Sequence, residues 1–317
     1  MVNEPIKEFI LIKEFCKKNF KSKELWPSYY ERRYQEFLTF YDFLPKQNIK
    51  ILELGCGIGY YSAFLSKIAE EVIATDLEII DPTTHSPGLQ VTRDFLSALG
   101  IKNVTVMNAS AEELPFEDNS FDLVFSSHVI EHVPNMNKAI LEIDRVLKPG
   151  GLNFCIVPTT TDRIYAFFTF YIYLFKRIFA KLFIKLVSKK VEVSSAQNAT
   201  TSASQASYYL KYLPFPPPHG VLPSYLSEIK NWTLKNWRKN ITNGNKIKLV
   251  SQYGLQLNPL LPLFSNFFPL TAVSIFAFTR KVESKIGKNV FFKHFGISTI
   301  LITEKQIVSS EKQTNSI

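Results

Sequence analysis

The sequence predicts an α/β protein built on a doubly wound, mostly parallel sheet. Two observations carry this prediction. Apolar runs of strand length alternate with amphipathic runs of helix length between residues 49 and 157, and the first apolar run leads into the glycine-rich stretch ELGCGIG. Such alternation implies right-handed crossovers and parallel strands. The 317 residues allow one large domain or two small ones.

Each element of this alternation has its own pattern. Gly100 ends the second predicted helix and the sequence PGG ends the third. Before the first strand, residues 6–45 are predicted to form one or two helices, with a stop at Pro45. Strands are predicted at 49–54, 71–77, 103–110, 121–127 and 152–158, and helices at 60–70, 88–100 and 135–148.

The pattern of apolar and charged residues changes after Pro158. Residues 163–190 begin almost purely apolar and then carry basic residues at intervals of four, namely Arg177, Lys181, Lys185 and Lys189. A small, polar stretch at 194–207 and the proline-rich connector 214–220 follow. The sequence then predicts an amphipathic helix at 222–238 and strands at 246–251 and 297–304, separated by an apolar, proline-containing segment.

The net charge and the distribution of basic residues restrict the class of binding partner. The net charge of +9 favours an anionic partner, either nucleic acid or an anionic membrane surface. The basic residues cluster with apolar ones and no RNA-binding module is recognisable, so a nucleic-acid partner is not predicted. Cys16, Cys56 and Cys155 lie far apart without metal-ligand spacing, which favours a reducing compartment, and no metal is predicted.

The glycine-rich stretch predicts a nucleotide cradle. A strand, a glycine turn and a helix hold an adenosine-bearing cofactor at the carboxyl edge of a parallel sheet. Tyr60 stands where a dinucleotide fingerprint needs a small residue, and Glu53 would repel a pyrophosphate. A carboxylate at that position suits a cationic ligand group, so a nicotinamide dinucleotide is disfavoured.

Four segments together resemble the class I S-adenosylmethionine-dependent methyltransferases, specifically their type 11, small-molecule branch. These segments are ILELGCGIG, VIATD, ASAEELPFEDNSFDLVFSSHVIEHV and RVLKPGG, in the order that the family has them. The resemblance covers roughly residues 48–158. It implies a Rossmann-like sheet of seven strands with two antiparallel closing strands, and S-adenosyl-L-methionine as the cofactor.

Carried over residue by residue, the resemblance implies a cofactor site. The glycine loop would approach the amino-acid end of the cofactor with Glu53 beneath it, and Asp76 would accept hydrogen bonds from both ribose hydroxyls. Ser110 departs from the family, which usually has an aspartate there, and a hydroxyl binds the adenine amino group more weakly. The implied cofactor-binding residues are Glu53, Gly55, Cys56, Gly57, Gly59, Asp76, Leu77, Ser110 and Ala111.

Two histidines are predicted to be catalytic. The resemblance places His128 beside the methyl donor, and either histidine would serve as a general base for a hydroxyl acceptor. His219 precedes the helix that follows the fifth strand, where similar enzymes often carry a histidine facing the acceptor. A loop residue fixed by its neighbouring prolines is an equal reading of His219. For the pair Glu131–His132, a structural and a catalytic role are equally open.

These observations divide the chain into five parts. They are an N-terminal helical cap (1–47), a cofactor-binding core (48–158), an apolar-basic insertion with a flexible linker (159–220), the C-terminal part of the core with a second apolar insertion at 255–296 (221–305), and a tail (306–317). Both insertions are expected to emerge at the sheet edge where acceptors enter. The charges within 164–187 argue against a bilayer span, because charges in mid-span are costly, and favour a helix in the plane of the membrane surface.

The sequence therefore predicts a methyltransferase that lies on the inner, cytoplasmic face of a membrane and acts on a lipid-like or lipid-linked small molecule. Two alternatives remain open. One is a soluble methyltransferase of a sugar or secondary metabolite, with the insertions as a lid. The other is a cofactor-binding scaffold without catalysis.

Overall fold

The structure is a computed structural model that describes most of the predicted core. The described residues are 14–15, 18, 33–34, 36–37, 40–45, 48–78, 88–188, 210–243, 247–255 and 296–307. Most of the predicted N-terminal helices, the polar stretch 194–207, nearly all of the second insertion and most of the tail lie outside these residues.

Within the described residues, seven strands form a single sheet in the order β3-β2-β1-β4-β5-β7-β6. Strands β1 to β5 are parallel, whereas β7 runs antiparallel to both of its neighbours, β5 and β6. This confirms the predicted doubly wound sheet and its two antiparallel closing strands. The strands are β1 (Lys50–Leu54), β2 (Glu71–Asp76), β3 (Val104–Asn108), β4 (Phe121–Ser127), β5 (Leu147–Pro158), β6 (Ile247–Leu255) and β7 (Ser298–Lys305).

Helices and short 3-10 turns connect these strands. Asn135 caps the third helix by accepting a hydrogen bond from the backbone N–H of Lys138, as its side-chain type favours. The helices are α1 (Tyr60–Leu65), α2 (Leu89–Ala98), α3 (Met136–Val146), α4 (Thr160–Ser188), α5 (Tyr225–Asn231) and α6 (Leu234–Ile241), and 3-10 turns lie at Tyr41–Phe43 and Ile130–His132.

Several predicted boundaries are wrong, and β6 runs to Leu255 instead of the predicted 251. Helix α1 ends at Leu65, short of the predicted 70. The PGG sequence does not separate α3 from β5, because β5 starts at Leu147 and a bulge in its register against β4 takes up these residues. The single helix predicted at 222–238 is two, because Thr233 caps a new helix by accepting from Asn236 N and the carbonyl of Trp232 accepts from Thr160 N.

Aromatic side chains pack in the core on both faces of the sheet. On one face, Phe40 stacks on Phe125 of β4 with ring centroids 5.8 Å apart. Phe37 and Phe40, from the N-terminal region, are buried. On the other face, Trp232 and Trp237 pack with the buried side of α3.

Both insertions begin at the carboxyl edge of the parallel strands. Helix α4 starts at Thr160, directly after β5 ends at Pro158. Leu255 at the end of β6 pairs with Ser298 at the start of β7, and Ser298 pairs with Pro158. The expectation that both insertions leave the core at one edge of the sheet is therefore met by their described ends.

Helix α4 exposes an apolar stripe. Phe170 and Leu174 on its inner side are buried. The exposed residues recur at intervals of three or four, which places them on one face. They are Ile164 (48% exposed), Phe168 (61%), Ile172 (43%), Phe175 (55%) and Phe179 (68%), and we call them the α4 stripe. None of the helices in the described part of the chain is long and apolar enough to cross a bilayer.

Candidate active site

The glycine loop between β1 and α1 has one open side. A side chain on Gly55 would meet Val129 Cγ2 at 2.3 Å, and one on Gly59 would meet Thr92 Cγ2 at 2.9 Å, so both glycines are packed against protein. Gly57 differs, because no atom lies within 4 Å of the position that a Cβ would occupy, and its φ is +54°. No atom of the described residues therefore covers this side of the Gly57 backbone, so a ligand can approach it closely.

Asp76 ends β2 and faces this loop. Its carboxylate accepts hydrogen bonds from the backbone N–H groups of Gly57 and Leu77, each at 2.8 Å. A carboxylate offers about four lone-pair sites on its two oxygens, so it retains the capacity to accept from two vicinal hydroxyls. Burial raises the pKa of Asp76, while the two backbone hydrogen bonds act in the opposite direction.

Glu53 lies beneath the loop, fully enclosed at 2% exposure. Ser62 in α1 donates a short hydrogen bond to its carboxylate. Burial raises the pKa of Glu53 to about 8, the Ser62 hydrogen bond lowers it, and the charge of Asp76 raises it further. A bound cation would stabilise the ionised forms of these two acids, which burial disfavours, so the pair suits a cationic ligand group. A ribose with vicinal hydroxyls and a cationic amino-acid end, as in S-adenosylmethionine, therefore fits the residues present.

The predicted adenine side lies next to Asp76. The N–H of Ala109 donates to the carbonyl of Asp76 at 3.1 Å, which fixes the segment after β3 beside the ribose site. Ser110 Oγ accepts from the N–H of Glu112 at 3.2 Å. Leu77 is exposed and Ala111 is partly buried against the core.

His128 follows β4 in a strained conformation. Its φ of +56° is uncommon for a residue with a side chain, and such residues concentrate at functional sites. Its N–H donates to the carbonyl of Ile156 at 2.9 Å. The ring lies between two elements, with Nδ1 3.3 Å from Glu131 Oε1 and Nε2 3.1 Å from Ser298 Oγ.

A histidine pair and an acid gather beside His128. The rings of His132 and His219 contact each other edge to face with centroids 4.9 Å apart. One ligand-type atom from each of Glu131, His132 and His219 lies within 4.8 Å of the others. The structure thus joins the Glu131–His132 pair to His219, which the sequence analysis treated separately.

Glu131 is the buried member of this cluster. It is 3% exposed, and neither carboxylate oxygen has a hydrogen-bond partner among the residues that the structure describes. Oε1 lies within ion-pair distance of His128 Nδ1 without hydrogen-bond geometry. Burial raises the pKa of Glu131.

The loop that carries His219 is anchored on both sides. Glu228 in α5 accepts hydrogen bonds from the N–H groups of His219 and Gly220, at 2.6 and 2.7 Å. Val221 N donates to the carbonyl of Glu131 at 3.0 Å, and a Cβ on Gly220 would lie 2.4 Å from that carbonyl oxygen. The loop therefore has to lie directly against the Ile130–His132 turn.

Arg163 completes the surroundings of this loop. Its guanidinium donates to Glu228 at 3.2 Å and lies over the ring of Trp232 at 5.1 Å. Although His219 is exposed in part, its ring also lies against Trp232, and burial together with Arg163 lowers the pKa of His219 to about 4.

Sequence reasoning did not identify Arg163, Gly220 or Glu228 as part of the site. Gly220 had a signal, because a glycine directly after the proline-rich connector marks a position with a backbone requirement. Glu228 and Arg163 had none, since each belongs to a helix pattern in which an isolated charge is ordinarily solvated.

Comparisons with known proteins agree with this geometry. A family model described as a methyltransferase domain matches residues 52–155. Demethylmenaquinone methyltransferases from several Staphylococcus aureus strains are 33% identical over 147 residues, which is 43% of this chain and 56% of theirs. The chain thus matches little more than half the length of these relatives.

Two solved structures show the fold at low identity. The cyclase SpnF is 13% identical with a TM-score of 0.50, covering 89% of this chain and 84% of its own. A chain from the complex that contains the Haloferax volcanii Trm112 methyltransferase activator is 14% identical with a TM-score of 0.50. The match covers 92% of this chain and 97% of that one. Because SpnF is named for a cyclisation, these two likenesses support the fold alone.

The family match and the cradle around Gly57, Asp76 and Glu53 thus agree. The match confirms the prediction that the four motifs made, including S-adenosylmethionine as the cofactor of the domain. Residues 52–155 form a methyltransferase domain of the type 11 branch of the class I S-adenosylmethionine-dependent methyltransferases.

Proposed function

We propose that the chain transfers a methyl group from S-adenosylmethionine to a lipid-like small molecule at an anionic membrane surface. The observation that carries the transfer is the pairing of the open Gly57 backbone with the carboxylate of Asp76 at the end of β2. The α4 stripe at the same edge of the sheet supports the lipid surface.

The residues of the cradle would bind and orient the cofactor. Asp76 would accept from the ribose hydroxyls, Leu77 offers an exposed apolar side chain to the adenine, and Glu53 favours the cationic end. When bound, S-adenosylmethionine supplies a methyl group that is already electrophilic. The protein's contribution is then to hold the acceptor in line and to exclude water.

His128 and the cluster of Glu131, His132 and His219 would face the acceptor. His128, Glu131 and His132 follow β4, and His219 lies near the end of the insertion that starts after β5. A side chain on Gly55 would strike Val129, next to His128. The cofactor loop therefore packs closely against the residue that follows His128. The prediction that His128 and His219 act in catalysis remains a prediction that this arrangement supports.

The case for a membrane surface rests on helix α4. Its exposed stripe contains three phenylalanines and two isoleucines on one face. A face of this kind inserts to the depth of the acyl boundary, while basic residues attract anionic headgroups. The sequence carries such basic residues at intervals of four toward the end of the helix, and the whole chain has a net charge of +9.

The named acceptor of a relative points the same way. The Staphylococcus aureus proteins are demethylmenaquinone methyltransferases by name. We therefore propose a quinone-like lipid as the acceptor class, which suits an apolar entrance better than a sugar does.

Sedimentation with vesicles tests the membrane part. Intact protein is mixed with vesicles of neutral lipid, with and without anionic lipid, and bound protein is measured in the pellet. We expect binding that requires the anionic lipid and weakens at high salt. The double variant Phe168→Ser/Phe179→Ser should stay in the supernatant, whereas Leu141→Ser, an exposed apolar residue on α3, should bind as the parent does.

Transfer of label tests the acceptor. The protein is incubated with methyl-labelled S-adenosylmethionine and a total lipid extract, and the label is followed into the lipid fraction. Label in water-soluble products alone would instead favour a soluble enzyme with a lid. Bound cofactor without turnover on either fraction would favour a scaffold without catalysis.

A further inference from the structure

We propose that Glu131, His132 and His219 form a binding site for a divalent transition-metal ion such as Zn²⁺. The ion would sit at the acceptor side of the cofactor loop. Binding of the metal does not depend on the proposed function. A role of the metal in the reaction does rest on the proposed function.

The donor set suits such an ion. Two imidazoles and one carboxylate are a common set for catalytic zinc, which keeps a fourth position open. Magnesium and calcium prefer sites made of oxygen, so they match this set poorly. Three donors around one ion at about 2 Å lie about 3–4 Å apart. The observed separation of at most 4.8 Å therefore needs only a small closure of the three side chains.

The state of Glu131 is the second observation. Both oxygens are buried, and neither makes a hydrogen bond within the described part of the chain. A buried carboxylate without hydrogen bonds is costly unless a cation or donor compensates it. The side chain also lies beside the ring pair His132–His219, the only other members of its cluster.

The protein orients these ligands from behind. Glu228 holds the backbone of His219 through two hydrogen bonds, and Val221 ties the same loop to the carbonyl of Glu131. His128 Nδ1 faces Glu131 Oε1 at 3.3 Å. Supporting contacts of this kind fix ligand geometry at metal sites.

Burial decreases across the cluster from Glu131 through His132 to His219. An ion held in this way would keep its open position on the exposed side, toward an incoming acceptor. A metal there would bind an oxygen of the acceptor and make its hydroxyl more acidic. The site therefore suits an acceptor that carries a hydroxyl group, such as the reduced form of a quinone-like lipid.

This proposal departs from the sequence prediction of no metal. That prediction rested on spacing, and His219 comes from a loop far along the chain from Glu131 and His132. Only the anchored loop brings the three residues together.

Metal binding can be measured without any reaction. The protein, without a polyhistidine tag and stripped of metal, is titrated with Zn²⁺ by calorimetry and with Co²⁺ by visible absorption. We expect one equivalent of each, with Co²⁺ bands of a four- or five-coordinate site, and no competition by Mg²⁺. Glu131→Gln and His219→Ala should each weaken Zn²⁺ binding by more than about 100-fold. Glu113→Gln, an exposed acid, should bind as the parent does.

Each outcome decides the proposal. His219 lies in an exposed loop, so His219→Ala still tests Zn²⁺ binding even if Glu131→Gln fails to fold. Absence of stoichiometric Zn²⁺ binding, or equal binding by His219→Ala, would overturn the metal site. Calorimetry with S-adenosylmethionine on the same metal-free protein then separates the two proposals. Cofactor binding and methyl transfer without metal would leave the proposed function standing alone.

Discussion

Glu228 Oε1 lies 2.6 Å from the backbone nitrogen of His219, so a buried carboxylate on α5 fixes the loop that carries His219. The same oxygen accepts from Gly220, and the other oxygen accepts from Arg163. Hydrogen bonds to a charged acceptor are stronger than neutral ones. The position of His219 therefore depends on a residue outside the cluster of Glu131, His132 and His219.

Removal of this anchor should uncouple acceptor turnover from cofactor binding. We expect Glu228→Ala to lower kcat for methyl transfer by about 10–100-fold, the usual effect of losing a supporting residue, with the Kd for S-adenosylmethionine unchanged. Loss of one partner of a buried pair should also destabilise the fold by up to about 3–5 kcal/mol. Glu228→Gln keeps an accepting oxygen and should retain more activity, and equal activity of the two variants would contradict the anchoring role.

Gly220→Ala should displace the His219 loop by steric conflict. The added methyl group would lie 2.4 Å from the carbonyl oxygen of Glu131, which is backbone and cannot move aside cheaply. We expect a fall in acceptor turnover with unchanged affinity for S-adenosylmethionine. Gly100→Ala is the control, since its Cβ would meet nothing within 4 Å and its φ of +69° costs only about 1 kcal/mol of stability. Normal turnover by Gly220→Ala would show that the loop position does not matter.

Asp76→Ala should weaken cofactor binding directly. The carboxylate accepts from the loop at Gly57 and would accept from the ribose, and hydrogen bonds to charged groups contribute about 1.5–3 kcal/mol each. This corresponds to a loss of about 10–100-fold in affinity for S-adenosylhomocysteine or S-adenosylmethionine, measured by calorimetry. Asp94→Asn, an exposed residue on α2, should bind as the parent does. An unchanged Kd for Asp76→Ala would remove this carboxylate from the cofactor site.

Glu53 predicts a pH dependence of stability without cofactor. Burial raises its pKa from the ordinary 4.5 to about 8, so between these values the folded protein holds a proton that the unfolded chain has lost. The free energy of unfolding should therefore fall as pH rises from about 4.5 to 8 and level off above. Asp76 shifts in the same direction and adds to the slope.

Denaturant unfolding across this pH range measures the effect. Glu53→Gln stays neutral at every pH, so its stability should fall less steeply than that of the parent. Glu117→Gln, an exposed acid, serves as the control and should follow the parent curve. Parallel curves for the parent and Glu53→Gln would mean that Glu53 is ionised in the folded protein throughout.

The cofactor half of the site could be predicted from the sequence because its signals are local. The strand, the glycines and Glu53 are contiguous, and Asp76 ends the next strand along the chain, so parallel pairing of β1 and β2 alone brings them together. The cluster of Glu131, His132 and His219 could not be predicted, because Glu131 and His219 meet only through a loop that Glu228 holds from a third element.

The boundary errors have equally physical causes. Thr233 accepts from Asn236 N three residues later, a capping signal that an amphipathic pattern running through it conceals. The residues around the PGG sequence form a bulged strand because they pair with β4, which lies beside them. This pairing outweighs the local preference of proline and glycine for a turn.

The pairing of Leu255 with Ser298 has an evolutionary consequence. Two chain ends that meet as neighbours in one ladder impose no length on what joins them, so this junction can accept foreign segments without shifting the register of the sheet. Exchange of the single segment between these two positions would therefore leave the nucleotide-holding half of the protein as it is. Chimeras joined at Leu255 and Ser298 would show by direct assay whether the segment between them affects the choice of acceptor.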